Sequence, residues 1–145
     1  MDNIIVQEAE LWIGAKWRHG QALRGDSTDC IQWVVLLGKK INKIPQSYRP
    51  PRYTRDWALH NDASILEQEI KKFCFRVDVM QMQSGDILLF HYGKTSSHAG
   101  IYVGNGQMIH SHIKNGVEKV KLSQVANMHK QKYNDLLSSI WRFNG

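Results

Sequence analysis

The stretch SSHAGIYVGNGQMIHSH at residues 96–112 decides the fold. It reads with a period of two on both flanks of Asn105–Gly106, the period of a β-strand. Asn-Gly suits the two positive-φ positions of a tight hairpin turn. The reading is two antiparallel strands, 97–104 and 107–113, joined by that turn. Counting outward pairs Gly104 with Gln107 and Ile101 with His110. His98 then stands a few residues farther along. Strand twist and any bulge could bring its imidazole and that of His110 into contact on one face.

The same period extends outward. Residues 86–92, DILLFHY, form a strand before the hairpin. A second turn at Asn115–Gly116 leads into a strand over 117–122. Residues 123–133 read as a short helix and 136–143, LLSSIWRF, as a last strand. On the N-terminal side the period lengthens. Ile4, Ile5, Ala9, Leu11 and Trp12 predict a helix within residues 3–14. A basic, glycine-punctuated loop follows over 15–26. Ser27, Thr28 or Asp29 caps a second helix from Cys30 to Leu37, with Gly38 as its stop. Residues 39–54 hold all three prolines and read as an irregular connection. Trp57, Leu59, Ile65, Leu66, Ile70 and Phe73 restore helical spacing over 55–73, with a break at Asn61–Asp62. Helices first and an antiparallel sheet second make an α+β domain. A chain of 145 residues fits one such domain, spanning 1–145.

Cys30 has an unusual address for a structural thiol. A helix N-terminus carries partial positive charge, which favours the thiolate, the nucleophilic form. A nucleophile needs a base and proton donor, and histidine titrates in the right range. Of the seven histidines, His98 is a candidate for the base. His110 would hold its second ring nitrogen and fix the tautomer, as the third member of a triad does. His112 lies two residues along on the same strand face and competes for that third position. Cys74, between two phenylalanines, reads as core, and Asp86 as a turn residue before its strand.

The totals narrow the partners. Apolar content of 42% argues against disorder, and a net charge of +6 favours anionic partners. The basic residues are dispersed and follow no nucleic-acid motif, so nucleic acid is not expected as a partner. No run reaches the ~18 apolar residues of a membrane span. The N-terminal MDNIIVQEAELWIG lacks the basic start and apolar core of a secretory signal. The expectation is a protein cytoplasmic as synthesised, unless another machine delivers it to the cell wall. Two cysteines build no disulfide framework. Cys30, His98, His110 and His112 lack the close paired spacing of zinc motifs, so no metal is expected.

STDCIQWV at 27–34, SGDILLF at 84–90 and SSHAGIYVGNGQMIHS at 96–111 together resemble the NlpC family of papain-like cysteine peptidases. The resemblance covers roughly residues 10–125. Each motif alone is common; the three in order at this spacing are specific. It implies a papain-like fold with Cys30 as nucleophile, His98 as base and His110 as the residue orienting His98. Asp29 matches an acidic residue that often faces the substrate's free amine in family members. Trp17 falls where the family usually carries tyrosine, which keeps an aromatic wall and loses a hydroxyl. Ile31 and Gln32 stand where many members have Ser-Gly, so Gln32 would narrow a substrate subsite. The implied activity is hydrolysis of peptidoglycan stem peptides, typically between γ-D-glutamate and a diamino acid, without a cofactor. The size and the proline-containing link resemble phage-type members, which would make a phage-tail-like assembly a partner. Two other functions fit the residues: a papain-like amidase or acyltransferase on another amide or ester, and a wall-binding module with vestigial catalysis.

Overall fold

The computed structural model describes residues 3–17, 22–23, 27–28, 30–51, 65–91, 96–112, 115–122 and 137–145; for residues 22, 23, 27, 28, 30, 65, 91, 96 and 97 it describes the backbone alone. Helix α1 runs Ile4–Glu10, and its N-terminus is capped by Asn3, whose side chain accepts the Ile5 N–H at 3.0 Å. Strands β1 (Lys16–Trp17), β2 (Ala22–Leu23) and β3 (Ser27–Thr28) follow. They form a small sheet with β3 central, parallel to β1 and antiparallel to β2. The sequence predicts a loop and a helix cap here. Two-residue strands are too short to show a period, which is why the pattern misses them.

Helix α2 spans Cys30–Lys40 and passes through Gly38 instead of stopping there. A Cβ on Gly38 would collide with the Ile44 side chain and lie 3.1 Å from Phe143 Cε1. The glycine is therefore a contact point for the chain folding back, not a cap. Beyond Lys40 the chain turns at Asn42, with φ 62°, and the Gly38 carbonyl accepts from the N–H groups of Lys43 and Ile44 at 2.8 and 3.1 Å.

Helix α3 spans Ile65–Ile70. Trp57, Leu59 and the predicted break at Asn61–Asp62 lie outside the described residues, as does the predicted helix at 123–133. Residues 74–77, unassigned by the sequence pattern, form strand β4 (Cys74–Val77). The expected strands then appear as β5 (Ile87–His91), β6 (Ser96–Gly104), β7 (Gln107–His112), β8 (Gly116–Lys121) and β9 (Leu137–Phe143). They form one six-stranded antiparallel sheet in the order β4-β9-β5-β6-β7-β8.

Pleat alternation divides the buried side chains between the faces of this sheet. Ile87, Leu89, Ala99, Ile101, Ile109 and Trp141 pack with Ile5, Trp12, Trp33 and Leu37 of the helical layer. Leu88, Phe90, Met108, Val120 and Ile140 form a second cluster. Each fully buried side chain of this size contributes about 1.5–3 kcal/mol. Between β4 and β5 the chain is tied by Asp86, which is 1% exposed. Its carboxylate accepts from the Gln83 N–H at 2.8 Å, setting the turn as the sequence suggests, and also takes a two-pronged bond from Arg142 at 2.8 and 2.9 Å. Among the described residues no helix is long and apolar enough to cross a membrane.

Candidate active site

The hairpin of β6 and β7 departs from the expected register by one residue. Gly104 faces Gln107 as counted, but Val103 is extra, and beyond it Ile101 faces Ile109 and Gly100 faces His110. Gly104 takes φ 91° at this bulge. Val103 stays packed against the helical cluster, which gives the bulge its physical reason. The consequence is decisive, because a shift of one residue exchanges the faces of a strand. In the counted register His98 and His110 would point to opposite sides. In the observed one they share a side.

They are in contact there. His98 Nε2 lies 2.8 Å from His110 Nδ1, with the rings nearly perpendicular at 76° and centroids 5.0 Å apart. His98 is 7% and His110 1% exposed. Gly100 stands opposite His110, where a Cβ would come within 3.4 Å of the His110 Cβ and 2.7 Å of Met108 Sδ. The absent side chain leaves space for the ring pair. Phe90 faces His98 from β5, ring centroids 6.1 Å apart.

A third group, which the sequence reading missed, continues the chain. His110 Nε2 lies 3.1 Å from Glu118 Oε2, and His110 and Glu118 are cross-strand partners. Asn115 Nδ2 approaches both Glu118 oxygens, at 3.3 and 3.5 Å. Counting from Asn115–Gly116 as a two-residue turn would place Lys121 opposite His110. Gly116 is instead the first paired residue of β8, facing His112, and that moves Glu118 into place. His112 lies beside His110, ring centroids 5.6 Å apart, and is half-buried. The contact to His98 is made by His110. Among the described residues no group of three or more His, Cys, Asp or Glu side chains is placed to hold a metal ion. The imidazoles bond to one another instead of converging on a point.

Cys30 is the first residue of α2, at the end whose backbone N–H groups have no acceptor within the helix itself. Helix α2 packs against β6 and β7, the strands carrying His98 and His110. Strand β3, just before Cys30, packs against β8. The Cys30 side chain and the whole of Asp29 lie outside the described residues. Trp17 is half-buried in β1, which packs against β7 and β8, and Gln32 is half-buried in α2. Cys74 is a different kind of thiol: it is buried in the helical cluster, and burial pushes its pKa up to about 12.

The profile of the NlpC/P60 family matches residues 14–142. The chain belongs to the NlpC/P60 family. Over 43 residues it is 51% identical to a protein of Listeria innocua named probable endopeptidase p60, a stretch covering 30% of this chain and 9% of that protein. Over 51 residues it is 39% identical to the Escherichia coli K12 protein named murein DD-endopeptidase MepS/murein LD-carboxypeptidase, covering 35% of this chain and 26% of that protein. The matched stretches thus span under a third of either relative. Among solved structures, the NlpC/p60 domain of the peptidoglycan hydrolase SagA superimposes with a TM-score of 0.64 at 18% identity, covering 97% of both chains. RipB of Mycobacterium tuberculosis gives 0.62 at 15%, covering 98% of this chain and 64% of that one. These likenesses establish the NlpC/P60 papain-like fold, which the α+β reading of the sequence anticipates.

Proposed function

We propose that this NlpC/P60 domain is a cysteine peptidase that hydrolyses peptidoglycan stem peptides at the bond between γ-D-glutamate and a diamino acid. The observation that carries the reading is the buried contact between His98 Nε2 and His110 Nδ1 at 2.8 Å, on strands against which the Cys30 helix packs. Family membership and the names of the relatives support the substrate class.

With Nε2 held by His110, Nδ1 of His98 is the nitrogen that takes the Cys30 proton. The Cys30 sulfur attacks the amide carbonyl carbon, and N–H groups at the start of α2 stabilise the oxyanion. The amine leaves with the proton from His98 Nδ1, giving a thioester on Cys30. Water then gives a proton to His98 and attacks the thioester, releasing the acid and restoring the thiol. His110 holds the His98 ring in plane throughout. Asp29 meets the free amine of the substrate, and Trp17 and Gln32 border the cleft.

Mass analysis of products from purified peptidoglycan and from defined stem peptides tests this. Wild type releases a new amine at the γ-D-glutamyl bond and Cys30→Ala does not. The panel includes D,D- and L,D-linked peptides, because the relatives' names carry more than one bond type. Equal behaviour of wild type and Cys30→Ala on every peptide overturns the reading. Cleavage confined to another linkage overturns the assigned bond and leaves the peptidase standing.

A further inference from the structure

The histidine pair does not fix its own protonation. Two neutral imidazoles joined Nε2 to Nδ1 can share their proton in either sense: His98 can donate to His110, or the reverse. Only the first leaves His98 Nδ1 with a lone pair for a thiol proton. In the second, His98 Nε2 is the acceptor and Nδ1 carries the hydrogen, so His98 is a donor on the wrong side. Something outside the pair must choose.

Glu118 is placed to choose. Its Oε2 lies 3.1 Å from His110 Nε2, the ring nitrogen that does not face His98. A carboxylate only accepts. Nε2 of His110 must therefore carry the hydrogen, Nδ1 of His110 becomes an acceptor, and His98 must donate to it from Nε2. The carboxylate is held in turn by Asn115 Nδ2 and by its cross-strand place opposite His110. It is 26% exposed, whereas the His110 side chain is 1% exposed, so the relay runs from the solvent edge of β8 to a sealed pair. Among the described residues, His112 is a further titratable group beside His110, on the same strand and with its ring centroid 5.6 Å away.

We propose that Glu118 is a positioning residue of this site, setting the tautomer of His110 and through it that of His98. The inference rests on the peptidase reading for its catalytic consequence, but not for the tautomer itself.

The experiment has two readouts on the full chain. Nitrogen-15 shifts of the histidine rings report the tautomers without any substrate. Wild type shows His110 and His98 both protonated at Nε2. Glu118→Ala shows a mixture at His110, and Glu118→Gln, whose amide oxygen still accepts, returns the Nε2–H form. Turnover of the stem peptide cleaved by wild type follows: kcat falls about tenfold in Glu118→Ala with little change in KM, and Glu118→Gln recovers most of it. Unchanged His110 shifts in Glu118→Ala overturn the inference, as does kcat of that variant within about twofold of wild type. If wild type cleaves no peptide while the ring shifts respond as stated, the peptidase reading fails and the tautomer assignment stands. If Glu118→Ala does not fold, Glu118→Leu, which keeps the bulk and offers no acceptor, decides in its place: an unchanged Nε2–H form in that variant overturns the proposal, and a mixed tautomer supports it.

Discussion

Replacing Asp86 with alanine removes the tie that joins the turn before β5 to strand β9. The carboxylate, 1% exposed, accepts three hydrogen bonds: from Arg142 Nε at 2.8 Å, Arg142 Nη2 at 2.9 Å and the Gln83 N–H at 2.8 Å. Removing one partner of a buried ion pair costs about 3–5 kcal/mol, because the other charge is stranded. Arg142 has a way out. Its side chain is 29% exposed and keeps the Gln81 carbonyl at 2.9 Å, so its guanidinium can turn toward water. The lower end of the range applies, about 3 kcal/mol. In a chain of 145 residues that corresponds to about 10 °C in Tm. Urea unfolding of wild type, Asp86→Ala, Arg142→Met and the double variant measures it as a cycle. The expected coupling between the two sites is about 1.5 kcal/mol or more. Turnover well below the Tm stays close to wild type, since His98 faces Phe90 near the far end of β5. An Asp86→Ala loss below about 1 kcal/mol with no measurable coupling refutes the reasoning.

Gly100→Ala places a methyl group 2.7 Å from Met108 Sδ and 3.4 Å from the His110 Cβ. The flexible thioether yields, so the variant folds with a loss of about 1–3 kcal/mol, and its kcat drops as the ring pair is displaced. Unchanged stability and kcat together would show that the space is not needed. Iodoacetamide on the native protein near pH 7 labels Cys30 and spares Cys74, whose thiol is pushed up to about 12 by burial; peptide mapping reads the site, and native labelling of Cys74 contradicts its placement. The raised pKa of Cys74 also fixes a sign. Its contribution to stability is fully present below its ordinary value of 9.0 and is lost as pH rises toward about 12. Tyr48, raised by burial and by its bond to Glu69, acts in the same sense. Thermal melts between about pH 8 and 11 therefore fall more steeply for wild type than for Cys74→Ala, and parallel curves would refute this.

The large strands were legible because each carries strand-favouring residues over five or more positions between turn residues, β5 as a continuous apolar run. The helical layer was legible where apolar side chains recur at turn spacing, as in α1 and α2. What escaped has specific causes. β1, β2 and β3 carry two residues each, below any detectable period. β4 follows directly on helical spacing, and its burial runs inside at Cys74 and Val77 with exposed residues between, which is not an alternation. Gly38 looks like a stop because glycine ends helices often, yet here its missing side chain serves a contact with Ile44 and Phe143. Within the site, Cys30, His98 and His110 stood out by residue type and context. The register that joins the two histidines did not, since it depends on Val103 preferring the core to the ladder. Glu118 carried no signal of its own: it enters through a turn whose paired residue is Gly116.

Strand β9 lies inside the sheet, between β4 and β5, although its residues 137–143 come last of all the strands in sequence. During vectorial synthesis, β5 therefore waits with one hydrogen-bonding side open, along the apolar run Ile87, Leu88, Leu89 and Phe90. A nascent chain halted before residue 137 exposes that run as a pairing template for its neighbours on the polysome. Premature stop codons ahead of residue 137 would thus yield sticky aggregates.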